Sequence, residues 1–386
     1  MLVSDGSRRE PRVPVVLVTG FLGSGKTTLV NRLLKAPAFA RAAVVVNEFG
    51  TVSIDHLYVS APAARTRVID SGCLCGHVHE QVASSLLDLH ARRGRDAEAG
   101  FDCVLIETSG LADPVPIIQI ITTDPAVSAR FDLRTVVTVV DGVHGRQQLT
   151  AHDESRKQAA IADTLVISKI DIASAAELDA LAGVLQGTNP CARQIRAVQG
   201  RIDAQAVLDG RGFSAADRSE VARQWLGDPG YAEANPPAGA DLSIRSFVLR
   251  HEGEITVPGL VLWMNLIAGM RGRGLLRVKG IANVEGRPYA IQAVQTVVSE
   301  PQALDGWPDD DRGTRLVFIT RGMDPAEVER TFATFDFDAG RAPRNTRIDP
   351  ATYRRFAETM ELFRGSSIQN RSNGAIDDDR NVASQR

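Results

Sequence analysis

The sequence predicts an α/β chain in which a mostly parallel β-sheet covered by helices is followed by a smaller α+β unit. Three observations carry that expectation. First, predominantly apolar runs recur along the first half of the chain, at Val15–Val18, Ala42–Val46, Arg67–Ile69, Val104–Ile106, Thr135–Val140 and Leu165–Ile167. Strands without polar alternation are buried on both faces, as in parallel sheets. Second, segments of helical spacing or propensity separate these runs, at Val78–Leu89, Pro116–Ile121, Glu154–Ile161 and Ser174–Leu185, with Ser174 placed to cap the last. Strand alternating with helix makes neighbouring strands parallel. Third, the pattern changes past Arg201, and the stretch Gly227–Asp241, rich in Gly, Pro and Ala, reads as a linker. Beyond it, strand-like Ile244–Leu249, Tyr289–Val298 and Leu316–Ile319 accompany a helix over Val261–Met270, which is an α+β pattern.

A chain of 386 residues is more than one core usually serves. The expected organisation is an N-terminal extension over residues 1–12, a nucleotide-binding domain over 13–212, a linker over 213–241, a second domain over 242–365 and a polar tail over 366–386. That tail carries Asp377–Asp379 and no aromatic residue, so disorder is expected. No apolar run reaches the ~18 residues of a membrane-spanning helix, and Met1–Arg12 lacks the apolar centre of a signal peptide. A membrane partner and export are therefore not expected. Four cysteines, Cys73, Cys75, Cys103 and Cys191, are too few and too unevenly spaced for a disulfide framework, which points to thiols in a reducing cytoplasm. A net charge of −3 leaves no general footprint for nucleic acid.

The segment Gly20–Thr28, GFLGSGKTT, fills the pattern G-x-x-x-x-G-K-[ST] between an apolar run and a helical one. It predicts a P-loop NTPase domain. Gly20, Gly23 and Gly25 let backbone N–H groups of the loop, with Ser24 and Thr28 beside them, turn inward around phosphates. Lys26 reaches the outer phosphates, the Thr27 hydroxyl ligates Mg²⁺, and the helix start adds its positive dipole end. Only five of the 44 basic residues are lysines: Lys26, Lys35, Lys157, Lys169 and Lys279. In so arginine-rich a chain, lysine at position 26 reads as a requirement for a compact ammonium. Lys169 and Lys279 raise the same question.

Ser168-Lys-Ile-Asp171 follows the last apolar run, where a base-reading loop belongs in this architecture, and it argues for guanine. The Asp171 carboxylate can accept from both N1–H and the 2-amino group, donors that adenine lacks, while the Lys169 stem lies against the ring. Ser168 stands where Asn is usual, which predicts a weaker brace for this loop. GTP is therefore expected over ATP. A small-molecule kinase or an ATPase using the same phosphate loop is the rival that a preference for ATP would revive.

With those residues in view, the chain resembles the CobW-type GTPases (CobW and nitrile hydratase activator-like), whose members include metallochaperones and activators of metalloenzymes. The resemblance rests on GFLGSGKTT, VVNEFG at Val45–Gly50 followed by Ile54 and Asp55, GCLC at Gly72–Cys75, IETSGLADP at Ile106–Pro114, TVVTVVD at Thr135–Asp141 and SKID. It continues into LLRVKGI at Leu275–Ile281 and LVFITRGMD at Leu316–Asp324, which are similar to that family's C-terminal domain. The resemblance implies a GTPase that binds a transition metal and passes it to a client metalloenzyme or cofactor-biosynthesis protein when its nucleotide state changes. It leaves a homodimer open. Glu107 and Gly110 match the family's acid on the Mg²⁺ side and its γ-phosphate-sensing glycine, and Asn189-Pro190 resembles a second base-contacting loop. Catalysis is expected to be slow and positional until a partner contributes.

At the metal element the sequence departs from the family's Cys-x-Cys-Cys, because Gly76 replaces the third cysteine. Three readings stay open. Cys73 and Cys75, with Glu48 and His77 or water, would suit Zn²⁺ or Co²⁺. An extended Cys73, Cys75, His77 and His79 would place four ligands on one face, although a helix starting near His77 would split them. Alternatively, the two thiols are small buried groups beside the nucleotide, and the chain is a metal-independent regulatory or assembly GTPase. Elsewhere Cys103 is expected in the core, Cys191 as a loop thiol, Trp263 in the second domain's core, and Arg277 and Lys279 as cations facing a partner, the other domain or solvent.

Overall fold

The computed structural model describes residues 11–48, 66–70, 77–93, 100–208, 244–271, 274–299 and 301–334. The linker, the polar tail, Cys73 and Cys75 lie outside them. The first domain is built on β1 (Val13–Thr19), β2 (Ala42–Glu48), β3 (Thr66–Asp70), β4 (Cys103–Thr108), β5 (Phe131–Asp141), β6 (Thr164–Ser168) and β7 (Arg193–Arg196). They form one sheet in the order β3-β2-β4-β1-β5-β6-β7, and every neighbouring pair runs parallel. Six of the seven were legible as predominantly apolar runs. The edge strand β7 was not, because its residues, RQIR, are exposed or half-buried and carry no apolar run.

Helices α1 (Lys26–Leu34), α2 (His77–Arg93), α3 (Val115–Thr123), α4 (Pro125–Ser128), α5 (Gly145–Ala151), α6 (Asp153–Ile161), α7 (Ala175–Thr188) and α8 (Ala204–Leu208) connect and cover the strands. Along β1 the period of two sends Val15 and Leu17 into the core shared with Leu86 of α2 and Ile117 of α3, while Val16 and Val18 meet Leu29 and Leu33 of α1. Both faces are therefore apolar, and each fully buried side chain such as Leu17 contributes about 1.5–3 kcal/mol. Ser174 starts α7 with a reciprocal capping box: its hydroxyl accepts from the Glu177 N–H at 3.3 Å and its own N–H donates to the Glu177 carboxylate at 2.8 Å. Cys103 is core, and burial first, then the charge of Asp102, pushes its thiol up to about 12.

The second domain pairs β8 (Ile244–His251), β9 (Leu275–Val284), β10 (Arg287–Val294), β11 (Val297–Val298), β12 (Gln302–Ala303) and β13 (Thr314–Arg321) in one antiparallel sheet, packed with α9 (Val257–Arg271) and α10 (Pro325–Thr334). The expected strand over Tyr289–Val298 is two strands joined by a tight turn. Gln295 takes φ 49°, and β11 folds back on β10 there. Trp263 of α9 is fully buried, stands edge-on to Phe318 and Phe332, and donates its indole N–H to the Thr331 hydroxyl at 3.2 Å. Among the described residues no helix is long and apolar enough to cross a membrane.

The two domains share a packed interface. Leu276, Val294 and Ile319 of the second domain join the same buried cluster as Ile117 and Ile118 of α3. Arg277 and Lys279 are not surface cations: each is 1 % exposed, and both meet Asp163 at the start of β6. Lys279 donates to that carboxylate at 2.5 Å, and Arg277 donates to it and to the Ile161 carbonyl. The other Asp163 oxygen accepts from the Val136 N–H at 2.9 Å. Burial, then the charge of Arg277, lowers the Lys279 ammonium to about 8 against the opposing pull of Asp163. Cys191 is a loop thiol between α7 and β7, as expected, and is buried with Val317 and Val248 of the second domain.

Candidate nucleotide site

The carboxyl ends of β1, β4 and β6 bring three loops together. Between β1 and α1 the chain turns through Gly20, Gly23 and Gly25 at φ 140°, 70° and 98°, a left-handed path that side chains with a Cβ rarely take. At Gly20 space is also decisive, because a Cβ would sit 2.3 Å from the Val139 carbonyl oxygen. Lys26 is 8 % exposed, and its ammonium donates back to the Phe21 carbonyl at 3.1 Å, which holds the charge over the loop. Thr28 lies one residue further along α1, on the wall of a pocket that continues toward β6.

Thr27 and Glu107 face each other across this loop. The Thr27 hydroxyl donates to the buried Glu107 carboxylate at 2.6 Å, joining the start of α1 to the end of β4. A hydroxyl beside a carboxylate is an all-oxygen donor pair, the kind that a hard cation such as Mg²⁺ accepts. After β4, Gly110 packs so closely on the phosphate loop that a Cβ would lie 2.7 Å from the Leu22 nitrogen.

The loop after β6 completes the pocket. The Ser168 hydroxyl donates to the Ser24 carbonyl at 2.6 Å, so Ser168 ties this loop directly to the phosphate loop. Ser168 braces the loop with this hydroxyl, which reaches because the two loops touch. Lys169 takes φ 56° and donates to Asp141 at 2.6 Å, which fixes its stem along the pocket wall. Burial pushes the Asp141 carboxyl up, but the Lys169 hydrogen bond, the N–H groups of His144 and Val143 and the Lys169 charge outweigh it, so Asp141 stays ionised below the usual carboxylate range. Asp171 is exposed at the rim of the same pocket.

One expected contact is corrected. Asn189 is fully buried and spends its amide on the carbonyls of Ala159, Ala160 and Ala162 at 2.9, 3.0 and 2.9 Å, closing the C-terminus of α6. It does not line the pocket. The opposite wall comes from Ala197, Gln199 and Gly200 after β7. Gln199 and Gly200 both take positive φ in a turn closed by the Arg201 N–H on the Val198 carbonyl at 2.9 Å, and Arg32 of α1 anchors the Gln199 carbonyl at 3.2 Å. Sequence reading missed this turn and Asp141, although a Gln-Gly pair after a short strand and an Asp ending an apolar run were available signals.

The side chains of Glu48 and His77, at the end of β2 and the start of α2, lie outside the described set with Cys73 and Cys75. Among the described residues no group of three or more His, Cys, Asp or Glu side chains could hold a metal ion.

Residues 14–196 match the family model described as CobW/HypB/UreG, nucleotide-binding domain, and residues 244–335 match the cobalamin synthesis protein cobW C-terminal domain. The zinc chaperone YjiA of Escherichia coli K12 is 28% identical over 323 residues, spanning 83% of this chain and 98% of that protein. The zinc chaperone CobW of Pseudomonas aeruginosa is 29% identical over 357 residues, spanning 84% and 91%. The crystal structure of Zn(II)-bound YjiA GTPase from E. coli superposes with a TM-score of 0.62 at 25% identity, covering 84% of this chain and 99% of that one. A phosphate loop braced to a base-side loop on a parallel sheet, with both domain models matched in order, makes this chain a member of the CobW family.

Proposed function

We infer that the chain binds GTP with Mg²⁺, hydrolyses it, and uses the change of nucleotide to gate delivery of a transition metal, Zn²⁺ before Co²⁺, to a client metalloenzyme or cofactor-biosynthesis protein in a reducing cytoplasm. The observation that carries the nucleotide part is the Thr27–Glu107 pair at 2.6 Å set below the phosphate loop. Both are oxygen donors of the type Mg²⁺ takes, and the ion, when bound, neutralises phosphate charge. Lys26 then stabilises charge on the outer phosphates, Gly110 lets the γ-phosphate approach the backbone, and Glu107 orients ion-bound or attacking water. Positioning of this kind, without a further cation supplied from outside, makes unaided turnover slow.

Guanine selection falls to Asp171, with Lys169 as the ring platform. Asp171→Asn is expected to weaken GTP about 10–100-fold while leaving ATP unchanged, because only the carboxylate accepts both guanine donors. Competition binding with the two nucleotides checks it, and an unchanged GTP-to-ATP ratio would remove Asp171 from the base site.

Metal carriage is supported by two kinds of fact: the relatives are named zinc chaperones, and Cys73, Cys75, Glu48 and His77 form a thiolate, carboxylate and imidazole set suited to Zn²⁺. Titrating the protein with Zn²⁺ and Co²⁺ against a chromophoric chelator, in Mg·GDP and in Mg with a non-hydrolysable GTP analogue, tests it. Tight binding confined to the analogue and lost in Cys73→Ala/Cys75→Ala is the expected result. Gly76 at the third cysteine position favours the rival reading, a metal-independent regulatory GTPase. Binding that ignores both nucleotide and cysteines would decide for that rival.

A further inference from the structure

Gln158 sits in α6 with 1 % of its surface exposed, outside the phosphate and base motifs of the sequence. Its side-chain amide donates to two backbone carbonyls of the loop after β4, those of Gly110 and Ala112, each at 3.1 Å. The Gln158 main-chain carbonyl accepts from the Thr138 hydroxyl of β5 at 2.7 Å, so the helix position is fixed from below. The neighbouring Lys157 pairs with Asp113, whose carboxylate also accepts from the Val115 N–H at 3.1 Å. Two consecutive α6 residues thus grip one four-residue loop whose opposite side presses on Leu22 of the phosphate loop.

A buried glutamine is costly unless its amide is bonded; here both N–H bonds go to main chain, while its side-chain oxygen has no partner among the described residues. The consequence is local and geometric. In a trans peptide the N–H points opposite to the C=O. Pinning the Gly110 carbonyl on α6 turns the Leu111 N–H away from α6, and the turn bond from the Ala112 N–H to the Ser109 carbonyl at 3.1 Å fixes the plane that carries the Gly110 N–H. Neither plane can rotate without breaking a bond inside the domain.

We propose that Gln158 is a positioning residue for nucleotide recognition, holding the Gly110 and Ala112 carbonyls so that the Gly110 and Leu111 N–H groups are presented to the terminal phosphate of GTP. It touches no nucleotide. It acts through the backbone, and its effect is confined to what distinguishes a triphosphate from a diphosphate. The proposal rests on the reading of Gly110 as the γ-phosphate contact.

The test uses the full chain with Gln158→Met, which keeps volume but donates nothing, beside Gly110→Ala. Affinities for GDP and for a non-hydrolysable GTP analogue are measured by calorimetry, with thermal unfolding of each variant. Gln158→Met is expected to keep GDP affinity within about twofold and to lose about tenfold for the analogue, the effect of one or two buried hydrogen bonds. Gly110→Ala is expected to weaken both nucleotides, because its Cβ presses on Leu22 of the phosphate loop, and to lose the analogue more steeply than GDP. If Gly110→Ala discriminates and Gln158→Met binds both nucleotides as the parent does, the positioning role alone is overturned. Equal loss of both nucleotides in Gln158→Met makes the residue merely structural and overturns it too. If Gly110→Ala keeps the parent's ratio, the γ-phosphate reading fails and takes the proposal with it. Should Gln158→Met not fold, Gln158→Leu, which likewise donates nothing, is judged by the same ratio.

Discussion

Lys26→Ala is expected to weaken a non-hydrolysable GTP analogue by roughly a hundredfold and to abolish measurable GTP turnover. An ammonium donating to two phosphates makes charge-assisted hydrogen bonds of about 1.5–3 kcal/mol each, and about 3 kcal/mol is two orders of magnitude in affinity. Lys26→Arg is expected to fail almost as badly. Lys26 is only 8 % exposed and its ammonium lies 3.1 Å from the Phe21 carbonyl, where a planar guanidinium is too broad. Fluorescent-nucleotide titration and phosphate release measure both variants. Affinity within threefold of the parent in Lys26→Arg would show that charge, rather than compactness, is what position 26 supplies.

The second large effect is structural. Asp163→Ala is expected to destabilise the protein by about 3–5 kcal/mol, because it leaves Arg277 and Lys279 buried without their shared anion and removes the acceptor for the Val136 N–H. Urea unfolding followed by tryptophan fluorescence reports it directly, since Trp263 sits in the second domain. A triple replacement, Asp163→Leu with Arg277→Met and Lys279→Met, should recover most of the loss, as apolar residues need no partner. A loss below about 1 kcal/mol in Asp163→Ala would mean that the apolar contacts around Leu276 and Ile319 hold the domains together without help from the ion cluster.

The same cluster sets a pH dependence. Lys279 is lowered to about 8 in the folded chain from an ordinary 10.5, so between those values the unfolded chain binds a proton that the folded chain has released. Stability contributed at this site therefore rises with pH across that window and is lowest below about pH 8, where the buried ammonium is fully charged. Lys279→Met should flatten the rise.

The phosphate loop shows how much one short stretch can specify. Glycine spacing, a lysine in an arginine-rich chain and a following hydroxyl are all contiguous, so the local backbone path and its chemistry can be read together. Strands β1, β2, β4, β5 and β6 were legible for a similar reason: burial leaves a largely apolar run that needs no partner to recognise. The capping box of Ser174 and Glu177 spans three residues and belongs to the same class. The base-side loop was half legible. Asp171 follows from the motif, but the Ser168 bond to Ser24 joins positions 144 residues apart and depends on two loops meeting at the edge of the sheet.

Asn189 was misread because a polar residue before a proline resembles a loop contact, whereas the fold needed three helix-terminal carbonyls satisfied and used its amide for that. Arg277 and Lys279 were placed on a strand without a known neighbour. Only docking of the second sheet on the first domain, across 114 and 116 residues of chain, revealed that both point at Asp163.

The sequence by itself therefore determined the phosphate loop, the parallel α/β plan and the family, because each is written in neighbouring residues whose spacing follows the 2- and 3.6-residue periods of the backbone. The tertiary structure alone decided which wall closes the base pocket, what Gln158 and Asn189 hold, and why two cations are buried between the domains. Those are pairings between distant positions, and a buried polar group's partner is set by which surfaces the folded chain brings into contact.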